Sequence, residues 1–316
     1  MKIYFLVPSL RGLHFCLICV LWMLVFTTSP MEAQRNRPDT TVVEDREFLR
    51  LLQQSKELDE EQKWRAKRTT NVRVLRRLAD DEDRGVRFFV AFNKSTPADA
   101  LLKLSDDPNE SIRWAVSMNP SIPEDVMAIL VSDYAEIVRL GLAANPNTAT
   151  EILTILAEDV SVAVRRKAAA NPNTDPFILG VLSKDTERSV RLVVAYNSNT
   201  PLFVMERFSL SSDEAFRLAT AENKGASSAV LLSLCFDNSL DVRRKVANHS
   251  AMPGSGLLRL SEDEDLDVRK AVVQNPNTTI AALEKLAFDA DGSIRRTARN
   301  RLGKLLKKQI ATDRER

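Results

Sequence analysis

A unit of 26 residues recurs without insertion through most of the chain, and this period limits the folds open to it. The copy at 164–189 reads VRRKAAANPNTDPFILGVLSKDTERS. Counting from Val86 in steps of 26, each unit opens with an aliphatic or aromatic residue, and arginine always follows it. Fixed self-similarity of this length is typical of repeat proteins whose units stack on their neighbours. The period therefore predicts one elongated array rather than two globular domains for these 316 residues.

Each unit has the pattern of two short helices. The apolar positions of VRxxVA lie on one side of the first helix, and the Asn-Pro step after it disfavours a further helical turn. Thr96 and Thr200, each followed by proline, are expected to be N-caps of the second helix. The second helix should bury three apolar positions per unit, namely Val126, Met127, Leu130, Ile152, Leu153, Leu156, Ile178, Leu179 and Leu182.

Units of the form VRxxVAxNPxTPxxxLxxLAxD resemble the leucine-rich repeat variant family, a relative of the HEAT-like α-solenoids. The resemblance covers about residues 60–302. It implies an all-α fold, a right-handed α-solenoid of about nine 26-residue two-helix repeats with helical caps, in which one helix of each pair can be 3₁₀. It implies no activity. Some members of the family carry an N-terminal cysteine-rich iron–sulfur region, and this chain departs from that pattern.

The reactive side chains are too few for a cofactor or a catalytic centre. Cys16 and Cys19 lie in an apolar run and Cys235 lies inside a repeat, whereas an iron–sulfur cluster usually needs four thiolates. His14 and His249 are the only histidines, and His249 occupies a position that is otherwise asparagine. We therefore expect no enzyme activity, no metal and no cofactor.

The ends of the chain differ from the repeats. Residues 1–33 contain the apolar run GLHFCLICVLWMLVFT, which fits a cleaved signal peptide or an uncleaved signal anchor and would make the protein secreted or envelope-associated. If translation starts at Met31, the run is never made and the protein is cytoplasmic. Residues 34–59 are a linker and an N-terminal capping helix at about 42–58, residues 60–302 are the solenoid, and residues 303–316 are a basic C-terminal cap or tail.

Residues at the same position of successive repeats form a column. Three polar columns, of arginine, aspartate and asparagine, are expected to hold the repeats together. The arginine column lies about 100° from the first apolar position, within the buried sector, where an unpaired charge is costly. The aspartate six residues upstream is the expected partner, as Asp133 is for Arg139. The asparagine column should bond to the turn backbone of its own and the next unit. We assign to this structural ladder Arg113, Arg139, Arg165, Arg191, Asn119, Asn145, Asn171, Asp133, Asp159 and Asp185.

The third and seventh positions of each unit lie opposite the buried sector. They are apolar in the early repeats and polar in the late ones, so they are candidates for an exposed partner surface. The residues are Phe88, Phe92, Trp114, Met118, Leu140, Leu192 and Tyr196. The alternative is that the first helix is covered on both sides and these residues are core.

Repeats from 190 to 267 are less regular. Ser211 replaces the aspartate, and Lys224 and Gly225 replace the proline turn. This irregularity fits a bend, a specialised site, or drift without function.

The sequence therefore predicts a non-catalytic, monomeric repeat scaffold that binds an unidentified protein or peptide. The N-terminal segment could in addition tether it to a membrane. The alternative is a nucleic-acid-binding HEAT-like solenoid that uses a basic face. The net charge of +2 is too near neutral to favour it. Its basic face would consist of Arg166, Lys167, Arg244, Lys245, Lys270, Arg295 and Arg296.

Overall fold

The structure is a computed structural model that describes residues 68–314, with side chains described to residue 307. All regular elements in this range are α-helices, so the predicted all-α solenoid is confirmed. The helices are α1 (Val72–Leu78), α2 (Arg84–Phe92), α3 (Ala98–Leu104), α4 (Glu110–Ser117), α5 (Glu124–Leu130), α6 (Glu136–Ala144), α7 (Thr150–Leu156), α8 (Val162–Ala170), α9 (Pro176–Leu182), α10 (Arg188–Tyr196), α11 (Leu202–Ser209), α12 (Glu214–Glu222), α13 (Ser228–Leu234), α14 (Leu240–Asn248), α15 (Gly254–Leu260), α16 (Leu266–Gln274), α17 (Ile280–Leu286) and α18 (Gly292–Arg314).

The even-numbered helices are the first helices of the repeats, and they pack on one another along the array. Helix α8 shows why they form. The Ser161 hydroxyl accepts a hydrogen bond from the Ala163 amide at 3.2 Å and so caps its N-terminus. The helix ends at Ala170 and Asn171 is its C-cap, because the proline that follows Asn171 disfavours a helical conformation there. The odd-numbered second helices form a second layer, so the chain alternates between two layers.

The start of the second helix differs from the prediction. Pro97 and Pro201 occupy the N-cap positions of α3 and α11, so the prediction of threonine N-caps was wrong. The Thr96 hydroxyl instead donates to the Val90 carbonyl at 2.6 Å, and it is buried. The threonine therefore gives the Val90 carbonyl, at the end of the first helix, a second donor besides the Asn93 amide at 3.0 Å.

The core lies between the two layers of helices. The predicted buried positions of α9 are Ile178, Leu179 and Leu182, which are 4%, 0% and 2% exposed. Close approach of the first helices depends on small residues. A Cβ atom added to Gly141 on α6 would lie 2.0 Å from the Ser117 hydroxyl oxygen on α4. These two helices therefore pack so closely that a side chain at position 141 would require the Ser117 hydroxyl to move.

The C-terminal end is one helix, α18, which runs through the boundary predicted at 302 and 303. Ile294 and Ala298 are buried against the last repeat, whereas Leu305 and Leu306 are exposed. The predicted signal segment at 1–33 and the capping helix at 42–58 lie outside the described residues. Among the helices at 68–314, none combines the length and the apolar character that a membrane crossing requires.

Candidate binding surface

The arginine column forms a ladder of ion pairs along the array. Arg165 is typical: its Nε donates to Asp185 Oδ2 at 2.7 Å and its Nη2 donates to Oδ1 at 3.1 Å. Hydrogen bonding to the carboxylate raises the pKa of Arg165 and lowers that of Asp185. In the part of the chain that the structure describes, seven pairs have this form: Arg87–Asp107, Arg113–Asp133, Arg139–Asp159, Arg165–Asp185, Arg217–Asp237, Arg243–Asp263 and Arg269–Asp289.

The carboxylate partner is not the one expected from the sequence. Arg139 pairs with Asp159, twenty residues downstream in its own repeat, and not with the Asp133 carboxylate. The upstream aspartate contributes its backbone instead: Arg139 Nη1 donates to the Asp133 carbonyl at 2.7 Å. Each arginine therefore joins the end of its own repeat to the turn that closes the preceding one.

The asparagine column forms a second ladder, which is buried. Asn171 Nδ2 donates to the carbonyls of Ala143 at 2.9 Å and Asn145 at 2.8 Å, both in the preceding repeat. Its Oδ1 accepts from the Asn173 amide at 2.9 Å. The expected bonds to its own turn are present, but the second set goes to the preceding unit rather than the next.

Two other residue types occupy this column. His249 Nδ1 accepts from the Ala251 amide at 3.1 Å, and its Nε2 lies 3.0 Å from the Asn223 carbonyl, as in the tautomer with the proton on Nε2. Arg301 ends the column, with Nη1 donating to the Val273 carbonyl at 2.6 Å. Desolvation lowers the pKa of Arg301. The side chains of both the arginine and the asparagine columns form hydrogen bonds with neighbouring backbone or side-chain groups, and these bonds hold the repeats together.

The predicted partner surface on the first helices is mostly half-buried. Trp114 is 7% exposed, and its ring stacks at 6.3 Å from Phe88 and lies 6.0 Å from Phe92. The expectation of an exposed Trp114 was therefore wrong, because the aromatic side chains of adjacent helices cover one another. Among the other residues of this surface, Phe88, Phe92, Met118, Leu140 and Leu192 are half-buried, and Tyr196 is exposed.

A second apolar surface lies on the outer side of the second helices, and the sequence interpretation missed it. Phe177 on α9 is 78% exposed and Phe203 on α11 is 59% exposed. Together with Val160 and Val181 they line a groove of about 1010 Å³ that crosses three consecutive repeats. Gly180 leaves room for one aromatic ring, since a Cβ there would lie 3.3 Å from the Phe203 ring. We call this surface the α9 groove.

The predicted basic face is partly neutralised by neighbouring carboxylates. Arg244 pairs with Asp241 at 2.6 Å, and Lys270 pairs with Asp267 at 3.2 Å. Lys245 pairs with Glu222. The face therefore presents alternating charges in the late repeats rather than a continuous positive stripe.

The described residues contain no group of histidine, cysteine, aspartate and glutamate side chains arranged to hold a metal ion. Cys235 is 1% exposed, and burial raises the pKa of its thiol to about 11. Its Sγ lies 3.5 Å from the Leu231 carbonyl. This thiol is thus a small core residue, and at neutral pH it is not a thiolate nucleophile.

The stacked two-helix repeats define an α-solenoid protein of the repeat-scaffold class. The chain is similar to a solved structure described as a leucine-rich repeat variant with a novel repetitive structural motif, at 25% identity and a TM-score of 0.47. That similarity covers 84% of this chain and 98% of the other.

Two further solved structures show lower similarity. The Escherichia coli protein YibA has 18% identity and a TM-score of 0.34, over 79% of this chain and 98% of that chain. A designed armadillo repeat protein in complex with a (KR)4 peptide has 17% identity and a TM-score of 0.18, over 80% of this chain and 97% of that chain. No family model and no curated protein matches the chain.

Proposed function

We propose that this protein is a non-catalytic scaffold that binds an extended peptide segment of a partner protein in the α9 groove. The single observation that carries the proposal is the exposure of Phe177, Val181 and Phe203 side by side in one groove. Exposed apolar clusters mark interaction sites, because leaving them in water costs free energy that a partner can recover. Aromatic side chains are also enriched where interfaces concentrate binding energy.

The repeat spacing favours an extended peptide over a folded partner surface. Phe177 and Phe203 occupy the same position of successive repeats, so their separation follows the distance between stacked helices. Packed helices lie about 8–10 Å apart. A polyproline II chain advances about 9 Å over three residues and returns to the same side. A peptide with apolar side chains at every third residue therefore matches the groove.

Phage-displayed random peptides selected on the full chain test this function. We expect the selected peptides to carry apolar residues three apart. We expect the variant Phe177→Ser/Val181→Ser/Phe203→Ser to lose their binding. The variant Phe236→Ser/Phe288→Ser is the matched control, because these phenylalanines are 67% and 83% exposed and do not line the groove.

Three results would contradict the proposal. The first is equal loss of binding in the groove variant and the control variant. The second is self-association in light scattering that the groove variant abolishes, since a second copy of the chain would then be the occupant. Loss of binding in Leu192→Ser/Tyr196→Ser alone would move the site to the predicted surface on the first helices.

A further inference from the structure

The arginine ladder changes at one repeat, in which Ser211 occupies the aspartate position. Arg191 belongs to this repeat. Its Nη1 donates to the carbonyls of Asp185 at 2.5 Å and Thr186 at 2.8 Å, as in the other repeats. Within residues 68–314, Arg191 forms no ion pair with an acidic side chain, whereas the arginines before and after it do. The guanidinium is thus held in the ladder geometry without the carboxylate that its Nε and Nη2 face elsewhere.

Ser211 keeps one of the two roles that the aspartate performs. Its hydroxyl accepts from the Asp213 amide at 3.2 Å. In the preceding repeat Asp185 Oδ1 accepts from the Glu187 amide at 2.8 Å in the same way. The turn is therefore preserved, while the charge partner of the arginine is removed. Serine is also shorter than aspartate, so the side chain at position 211 fills less of the space beside the Arg191 guanidinium.

Arg191 is not itself a lining residue of the α9 groove, but it contacts two residues that are. The two residues whose carbonyls hold its Nη1, Asp185 and Thr186, also line that groove. Of the other arginines nearby, Arg188 pairs with Asp213 at 2.6 Å. Arg207 donates to the Ser183 carbonyl at 3.0 Å. Lys184 also lines the groove and is exposed, so Arg191 is not the sole cation that a ligand anion at this end of the groove would meet, but it is held in the ladder orientation by two backbone carbonyls.

We propose that Arg191 is a carboxylate-binding site, in which an acidic group of the bound peptide takes the place of the aspartate missing at Ser211. The neighbouring repeats show the geometry, with two parallel N–H donors to two oxygens of one carboxylate. Charge-assisted bonds of this bidentate form are stronger than neutral ones and select planar carboxylates. The assignment of the acidic group to a peptide rests on the proposed function, whereas the carboxylate site itself does not.

The test titrates the full chain, with ¹⁵N-labelled arginine, and follows the Nε–H resonances of Arg191 and Arg165. The probes are N-acetylglutamate α-amide for a side-chain carboxylate, N-acetylphenylalanine for a terminal carboxylate, and inorganic phosphate. We expect saturable shifts of Arg191 with at least one carboxylate probe and no comparable shift of Arg165, which is already paired. The probe that saturates at the lower concentration identifies the source of the carboxylate.

Two variants that add the same charge distinguish carboxylate binding at Arg191 from a nonspecific effect of the added negative charge. Ser211→Asp supplies the missing partner and should abolish the Arg191 response. Ser212→Asp adds the same charge at an exposed neighbour and should retain it. No shift with either carboxylate, a shift with phosphate alone, or equal loss in both variants would overturn the proposal. Failure of peptide binding with a normal carboxylate titration would count against the proposed function alone.

Discussion

Arg165 and Asp185 form a bidentate ion pair within one repeat, with side chains that are 15% and 7% exposed. The same guanidinium donates through Nη1 to the Asp159 carbonyl at 2.8 Å, in the repeat before. One side chain thereby joins the end of its own repeat to the turn of its neighbour. In a repeat array the stability depends on such interfaces between neighbours as well as on the units themselves.

Removal of this arginine should destabilise the array. Arg165→Leu leaves the Asp185 carboxylate shielded from water without its partner, and we expect a loss of about 3 kcal/mol in the free energy of unfolding. Arg166 is exposed, so Arg166→Leu should change stability by less than about 0.5 kcal/mol. Thermal denaturation followed by circular dichroism compares the two variants. Equal effects would show that the ion pair does not stabilise the repeats.

The same pair predicts a dependence of stability on pH. Hydrogen bonding to Arg165 holds the pKa of Asp185 below its ordinary value of 3.8. A carboxyl group with a lowered folded-state pKa stabilises the protein above its unfolded-state pKa, and this contribution is lost as the pH falls through the folded-state value. Asp185→Asn should therefore cost stability at neutral pH.

The cost of Asp185→Asn should shrink as the pH falls from 3.8 through the lower folded-state pKa of Asp185, because the carboxyl of the unfolded chain is protonated first and the folded carboxylate only at that lower pH. Urea unfolding of both proteins at several pH values measures the difference. Asp241→Asn is a control, since that carboxylate is 54% exposed in its ion pair and surface pairs contribute little. A difference in the free energy of unfolding between wild type and Asp185→Asn that stays constant with pH would contradict the prediction.

The sequence predicted the helices and their buried sides, because these follow from the period alone. It did not identify the partner of each arginine. Arg139 has an aspartate six residues upstream and another twenty downstream, and the fold uses the backbone of Asp133 and the carboxylate of Asp159. A repeating pattern cannot distinguish these roles, because both aspartates belong to the same column.

The α9 groove was missed for a different physical reason. Its phenylalanines, Phe177 and Phe203, occupy a position that is aspartate in earlier repeats, as at Asp99 and Asp125. The column as a whole is thus variable, and the apolar surface appears only when three particular repeats stand side by side. The burial of Trp114 likewise depends on ring contacts with Phe88 and Phe92, which the spacing of the residues does not specify.

The asparagine ladder should be as sensitive to truncation as the ion pairs. Asn171 is 3% exposed, and Asn171→Ala removes the side-chain donor from the Ala143 and Asn145 carbonyls, of which that of Asn145 keeps the Thr148 amide at 3.1 Å. We expect a cost of about 2 kcal/mol. Asn173 donates to the Pro146 carbonyl at 2.7 Å at an exposed site, where water can replace it. Asn173→Ala should therefore cost less than about 1 kcal/mol. Urea midpoints measure both, and a larger loss for Asn173→Ala would contradict the role of the buried amide.

Cys235 should react with thiol reagents only after unfolding. Burial raises the pKa of its thiol to about 11, so little thiolate forms at neutral pH and the sulfur is shielded from reagents. We expect iodoacetamide labelling of Cys235, located by peptide mass spectrometry, to rise at the same urea concentration as the loss of helical signal. Labelling of Cys235 in the native protein at the rate of a free cysteine would contradict its placement in the core.

The surroundings of Gly141 and Gly303 predict opposite effects on stability when each is replaced by alanine. Glycine inside a helix usually costs about 1 kcal/mol relative to alanine. Gly141→Ala should nevertheless destabilise by about 2 kcal/mol, because its Cβ would lie 2.0 Å from the Ser117 hydroxyl oxygen. Gly303→Ala, which meets no atom within 4 Å, should instead stabilise.

The double variant Ser117→Ala/Gly141→Ala tests the clash directly. Removing the hydroxyl leaves only the Ser117 Cβ, 3.3 Å from the added methyl group, and the Trp114 ring carbon at 3.0 Å. The double variant should therefore recover most of the stability that Gly141→Ala loses, which gives a favourable coupling energy in a double-mutant cycle. Additive losses in urea unfolding would mean that α4 and α6 separate to admit the methyl group, and that close packing at this point does not limit the residue at position 141.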